Sequence, residues 1–248
     1  MHWFDWTLHV ILPLLAFLVG GIPFGYLAGR WYGIDLRRHG SFNIGATNAG
    51  RVLGRRIGVA VFLLDCLKGF ACVAAIGLVL YLGRPDYADR HPHGAQFAWV
   101  LTACCAMLGH IFCPYLGFRG GKGVATALGT ALGFYPYFSL AALAAFALWL
   151  LVVKFTRYVS LASLAAAAAI TPLYAGILWI DGEPASRNLW VLGFSATITL
   201  LVFTRHHANI ARLLKGTEPT IDDQRAARAA QKQPTEMPKR DAEQRAAG

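Results

Sequence analysis

The stretch IGVAVFLLDCLKGFACVAAIGLVLYL, residues Ile57–Leu82, decides what kind of protein this is. It is apolar for long enough to cross a bilayer as a helix, and only two charged residues, Asp65 and Lys68, interrupt it. Each costs about 2.5–3.5 kcal/mol at a helix centre on a translocon scale, so such residues face a protein interior or a polar cavity. Their i, i+3 spacing lets them pair as a structural salt bridge, and it also lets Lys68 point into the floor of a site.

Six further apolar blocks accompany it: Thr7–Leu27, Trp99–Leu116, Val124–Phe134, Tyr137–Val153, Val159–Ile180 and Leu189–Phe203. With 56% hydrophobic and 15% charged residues in 248, and a mean hydropathy of +0.46, the chain is too apolar for an ordinary soluble domain. The N-terminus lacks a basic n-region, so Thr7–Leu27 reads as a retained span. Val124–Phe134 is the short one, rising only about 17 Å against a core of about 30 Å. Counting it as a crossing puts every one of the 23 Lys and Arg on one side except Arg84, Arg90, Arg187 and the intramembrane Lys68. The expectation is therefore an all-α protein with seven transmembrane helices, N-terminus outside and C-terminus cytoplasmic. Residues 1–215 are expected to form one transmembrane domain that carries whatever chemistry the chain has, and 216–248 a polar cytoplasmic tail with a surface helix around Asp222–Gln231 or none.

Trp3, Trp6, Trp31, Tyr32, Trp149, Trp179 and Trp190 fall near span ends, as interfacial aromatics do. Cys66, Cys72, Cys104, Cys105 and Cys113 lie in apolar segments without CxxC spacing, which predicts neither disulfide nor metal. Cys113 adjoins a polar stretch and is the one conceivable thioester nucleophile. No feature calls for a cofactor or for nucleic acid.

Three polar stretches fall on the basic side. The first, Gly40 to Arg51, gathers Ser41, Asn43, Gly45, Thr47, Asn48 and Arg51, offering backbone amides, neutral donors and a fixed cation to one point. The second runs from Gly109-His110 to Gly120-Gly121-Lys122-Gly123-Val124-Ala125-Thr126. It puts glycine-flanked amides and a Lys at a helix start, where an anion is favoured. It is no Walker A loop: from Gly117 the spacing is one residue short, and Gly123 replaces the magnesium-binding Ser/Thr. The third, Arg205 to Glu218, sets His206, Asn209 and Arg212 on one face if the helix continues.

Together these stretches resemble the bacterial acyl-phosphate-dependent glycerol-3-phosphate acyltransferase family over about residues 10–220. The matching residues are Gly40-Ser41-x-Asn43-x-Gly45-Ala46-Thr47-Asn48-x-x-Arg51, Gly109-His110 through Thr126, and Arg205-His206-x-x-Asn209-Ile210-x-Arg212-Leu213 with Gly216 and Glu218. Asp65-x-x-Lys68-Gly69 looks like the family's second helix. Phe42 stands where a small residue is common, and the tail beyond Glu218 is long. The resemblance implies seven helices in the bacterial inner membrane and a cytoplasm-facing site. It implies acyl transfer from acyl phosphate to the 1-hydroxyl of glycerol 3-phosphate, giving lysophosphatidic acid. A contact with the soluble enzyme that makes acyl phosphate is the partner to look for.

The residues suit that chemistry. An acyl phosphate carries its own leaving group, so the acceptor hydroxyl needs positioning more than a protein nucleophile. Ser41, Arg51, Lys122, His206 and Asn209 are the expected catalytic residues. Asn43, Gly45, Thr47, Asn48, Lys68, His110, Gly120, Gly121, Gly123, Thr126, Arg205, Arg212 and Glu218 are the expected binding set. His206 is the only well-placed general base, and a donor phosphate oxygen is the alternative. None of the eight His has Asp in a His-x4-Asp pattern, which argues against the acyl-CoA type of membrane acyltransferase. The competing expectation is a transporter of an organic phosphate, but no internal repeat is visible and the polar stretches share one face.

Overall fold

A computed structural model describes residues 3–223 and Ala226. Among them the chain is helical, with no strand. The order is α1 (Trp3–Trp6), a π-helical turn at Thr7–Ile11, α2 (Leu12–Gly21), α3 (Phe24–Trp31), α4 (Ala46–Val52), α5 (Arg55–Gly83), α6 (Tyr87–Arg90), α7 (Pro92–Ile111), α8 (Val124–Leu132), α9 (Tyr137–Thr156), α10 (Val159–Ile180), α11 (Leu189–Arg205) and α12 (His207–Leu214). Six helical stretches are long and apolar enough to cross a membrane: Trp3–Trp31, Arg55–Gly83, Pro92–Leu116, Tyr137–Thr156, Val159–Ile180 and Ala185–Arg205. The helix expected over Asp222–Gln231 lies outside the described residues except for the turn at 221–223 and Ala226.

The first span is broken where the sequence reads as continuous. Pro23 lacks an amide proton and pushes Ile22 to ψ 116°, ending α2. The carbonyls this frees are satisfied from neighbouring helices. Cys113 Sγ donates to Gly21 O at 3.1 Å and Lys68 Nζ to Ile22 O at 2.7 Å.

The fourth expected span is a nine-residue helix, α8, rising about 14 Å. It survives because it is enclosed rather than lipid-facing: Thr126, Ala127, Gly129, Thr130 and Ala131 are all buried. A Cβ on Gly69 would strike the Thr126 carbonyl of α8, and one on Gly129 the Cys66 carbonyl of α5. Glycines on both helices thus let α5 and α8 approach backbone to backbone, as membrane helices do through small residues. Around this pair an aromatic core of Phe134, Phe138, Tyr174 and Phe194 joins α8 to α9, α10 and α11. Leu63, Leu67, Leu143, Leu150 and Leu200 point outward and exposed, on the surface a bilayer would cover.

Candidate active site

The first polar stretch is a loop organised by Asn48. Its Nδ2 donates to the carbonyls of Leu36 (3.2 Å), His39 (3.0 Å) and Asn43 (2.7 Å), while its Oδ1 accepts from Ser41 N at 2.8 Å. Every polar atom of that side chain is engaged in shaping the loop. Asn43 Oδ1 accepts from Gly45 N at 2.8 Å and so sets the entry to α4. Gly40 sits at φ +63°, and a Cβ there would strike Asn48 Oδ1. The loop therefore holds Ser41, Thr47 and Arg51 along one wall of a cavity of about 450 Å³. Among the described residues the buried Arg51 Nε has no partner, and burial pulls the guanidinium below its usual pKa.

The second stretch forms the opposite wall. Gly120 N donates to Ile111 O (3.0 Å) and Gly121 N to His110 O (3.1 Å), so these two amides are closed onto the end of α7. The amides left over are those of Gly123, Val124 and Ala125, where α8 begins and the first N–H groups lack helical acceptors. A Cβ on Gly121 would collide with the His110 ring, which explains the glycine. Lys122 projects between, its Nζ donating to Asn209 Oδ1. Burial, reinforced by Arg212, Arg51 and Arg205 and opposed by Glu218, pushes Lys122 down to about 8.

Lys68 is not a phosphate ligand in this arrangement. Its Nζ lies 2.7 Å from Asp65 Oδ1 and 3.0 Å from His110 Nδ1, besides the Ile22 carbonyl. Asp65, Lys68 and His110 are all buried, and they tie the broken first span, α5 and α7 together at the cavity floor.

The third stretch turns a corner at His206 between α11 and α12. His206 Nδ1 lies 2.7 Å from Val202 O. A carbonyl can only accept, so Nδ1 carries the proton and Nε2 keeps its lone pair. Burial, aided by Lys122, pushes His206 down to about 4, so the ring is neutral. Asn209 Nδ2 donates to Glu218 Oε1 at 2.6 Å and Arg212 Nε to Glu218 Oε2 at 2.7 Å. Burial alone would raise the Glu218 carboxyl, but these donors hold it below the usual range. Arg205 reaches Gly121 O at 3.3 Å, and its Nε has no partner among the described residues.

Ser41, Asn43, Gly45, Thr47, Asn48, Arg51, His110, Lys122, Gly123, Arg205, His206, Asn209, Arg212 and Glu218 thus line one cavity. Lys68, Gly120, Gly121 and Thr126 do not. Thr126 is turned into the α5–α8 seam, where its methyl meets Gly69. Cys113 is buried outside the cavity with its thiol on Gly21 O, so the thioester idea fails. Phe62 and Trp149 line the cavity unannounced by any motif. Trp149 is no interfacial anchor: it donates to Ser163 Oγ at 3.2 Å and stacks on Phe146, which stacks on Phe62. Four cations facing Asp65 and Glu218 make the cavity an anion site with one aromatic side.

The sequence model of the family described as Glycerol-3-phosphate acyltransferase matches residues 10–216. The chain belongs to this family. A glycerol-3-phosphate acyltransferase of Geobacter metallireducens is 47% identical over 212 residues, covering 85% of this chain and 96% of that relative. One from Staphylococcus haemolyticus is 36% identical over 214 residues, covering 86% and 97%. The crystal structure of PlsY, an integral membrane glycerol 3-phosphate acyltransferase, in its glycerol 3-phosphate form superposes with a TM-score of 0.70 at 36% identity. That match covers 86% of this chain and 94% of PlsY. The lysophosphatidic acid form gives 0.68 at 35% identity, covering 85% and 94%.

Proposed function

We propose that this chain transfers a fatty acyl group from acyl phosphate to the 1-hydroxyl of glycerol 3-phosphate, a step of phospholipid synthesis. Membership of the acyltransferase family supplies the acceptor and the reaction class. The observation that carries the donor is the excess of cations, Arg51, Lys122, Arg205 and Arg212, around one cavity large enough for two phosphates. Their fixed charge offsets the repulsion between the two substrates.

In the step, the acceptor oxygen forms the ester bond to the acyl carbon while the carbon–oxygen bond to phosphate breaks. Lys122 and the opening amides of α8 receive the charge developing on the leaving phosphate. Ser41 and Arg51 hold the other side. His206 Nε2 accepts a hydrogen bond from the attacking hydroxyl, but a ring pushed to about 4 is a poor proton sink near neutrality. The hydroxyl proton therefore goes to an oxygen of the departing phosphate. Asn209 couples Lys122 to Glu218 and is a positioning residue.

The site opens on the cytoplasmic side of the bacterial inner membrane, with the N-terminus outside. The Lys and Arg placement supports this if α8 counts as a short seventh crossing. Enclosure within the bundle relieves α8 of the full bilayer length, because protein rather than lipid surrounds its ends. Residues 1–215 then form the catalytic bundle. Purified protein given palmitoyl phosphate and glycerol 3-phosphate should release phosphate and lysophosphatidic acid, with palmitoyl-CoA as the parallel donor. Turnover with the CoA ester and none with acyl phosphate would overturn the donor assignment.

A further inference from the structure

Phe42 stands apart from the loop around it. Its backbone is left-handed at φ +58°, a conformation glycine takes freely and a bulky side chain rarely does. The same loop uses a glycine for its other positive-φ position, Gly40. The flanking groups are pinned, Ser41 N on Asn48 Oδ1 and the Asn43 carbonyl on Asn48 Nδ2, so Phe42 is held in this state from both sides. Yet the ring does nothing for the fold. It is 68% exposed, and among the described residues it stacks on no ring and covers no cation. Such strain, at a residue that also lines the substrate cavity and has no ring or cation contact to repay it, points to a ligand.

Phe42 lines the cavity, together with the aromatic residues Phe62 and Trp149 from two membrane spans. Phe146 stacks between those two with centroids 6.0 Å apart on each side. The cavity thus has an apolar side as well as a cationic one. Glycerol 3-phosphate has no surface that such a side could recognise. An acyl donor has a long one.

We propose that Phe42 is a specificity residue for the acyl donor, its ring packing on the chain methylenes as they leave the phosphate site. The inference rests on the acyl-phosphate reading above. Phe118 provides an internal control: it is also left-handed (φ +61°) and 63% exposed, but it does not line the cavity.

Phe42→Gly removes the ring and relieves the backbone together, so lost function cannot be ascribed to lost stability. The thermal midpoint should hold or rise. KM for palmitoyl phosphate should rise about tenfold, the equivalent of roughly two methylenes left in water. KM for acetyl phosphate and for glycerol 3-phosphate should stay within about twofold. Phe118→Gly should leave all three constants unchanged. An unaltered palmitoyl-to-acetyl preference in Phe42→Gly, or a rise in KM for glycerol 3-phosphate alone, would overturn the proposal. Wild-type protein inert toward every acyl phosphate would instead sink the donor assignment, and this inference with it.

Discussion

Two ionic clusters lie close together in this protein and are built on opposite principles. Asp65, Lys68 and His110, at the cavity floor with Asp65 and His110 in its lining, are closed: the ammonium has a carboxylate at 2.7 Å, an imidazole at 3.0 Å and a carbonyl at 2.7 Å. Arg51, Lys122, Arg205 and Arg212, around the cavity, outnumber the carboxylates facing them, and Arg51 and Arg205 each keep a buried nitrogen with no partner among the described residues. Charge arranged to hold a fold is balanced within the fold, since an unpaired ion in a membrane interior is costly. Charge arranged for a ligand is left unbalanced until the ligand arrives.

The sharpest way to break this contrast is to remove one cation from each cluster. Lys122→Met keeps length and apolarity, and the protein should still insert and purify. Turnover should fall by about 10²–10³-fold, the scale of one lost electrostatic stabiliser. Near-normal turnover would mean that the glycine–lysine stretch is only a turn.

Lys68→Met should fail differently. Leaving Asp65 buried without its cation should destabilise by roughly 3–5 kcal/mol, read as a lowered thermal midpoint in detergent. The double variant Asp65→Asn with Lys68→Met removes both charges and should recover much of that loss. Single and double variants of equal stability would show that the pair is not closed in the way described.

A pH profile separates the open cluster's members. Lys122, at about 8 in the free protein, is protonated below that pH and loses its charge above it. The kcat/KM for glycerol 3-phosphate should therefore fall about tenfold per unit on the alkaline side of 8. Lys122→Arg keeps the charge and should remove that limb whatever it costs in absolute rate. His206 at about 4 is already neutral through the working range, so it supplies no acid limb there. His206→Gln should raise KM several-fold and leave any limb between pH 5 and 7 in place, because that limb belongs to substrate phosphate. Its disappearance in the variant would make His206 the base.

Six of the seven expected spans, and the meeting of the three polar stretches, were legible in the sequence because apolar length is summed over many residues. Individual roles were not. An Asn amide bonds a backbone carbonyl or a ligand with equal chemistry, so only the fold reveals that Asn48 is saturated by its own loop. Gly120 and Gly121 pointed to free amides, whereas theirs are closed onto α7 and the free ones lie further along at α8. The break at Pro23 was hidden because the partners for its carbonyls, Lys68 and Cys113, lie far along the chain. Phe62 and Trp149 carried no signal, since an aromatic in a span is as often packing as wall.

The smallest effect concerns how the open cluster is kept in place. After α12 the chain returns across the cavity, where Glu218 takes Asn209 and Arg212 and Pro219 joins the lining. It is fastened at the corner between α9 and α10: Ile221 N donates to Arg157 O at 3.0 Å, and Arg157 grips Asp222 through Nε at 2.8 Å and a second nitrogen at 2.7 Å. That ion pair is exposed and screened by salt, so it is a weak fastener beside the buried hydrogen bonds of Glu218. Asp222→Asn should change kcat/KM by less than about threefold, with the difference shrinking as salt is raised. Glu218→Gln, which releases the charge on Arg212 and loosens Asn209, should cost far more at every salt concentration. Equal losses in the two variants would place the closing of the cavity at the surface ion pair rather than at the carboxylate inside it.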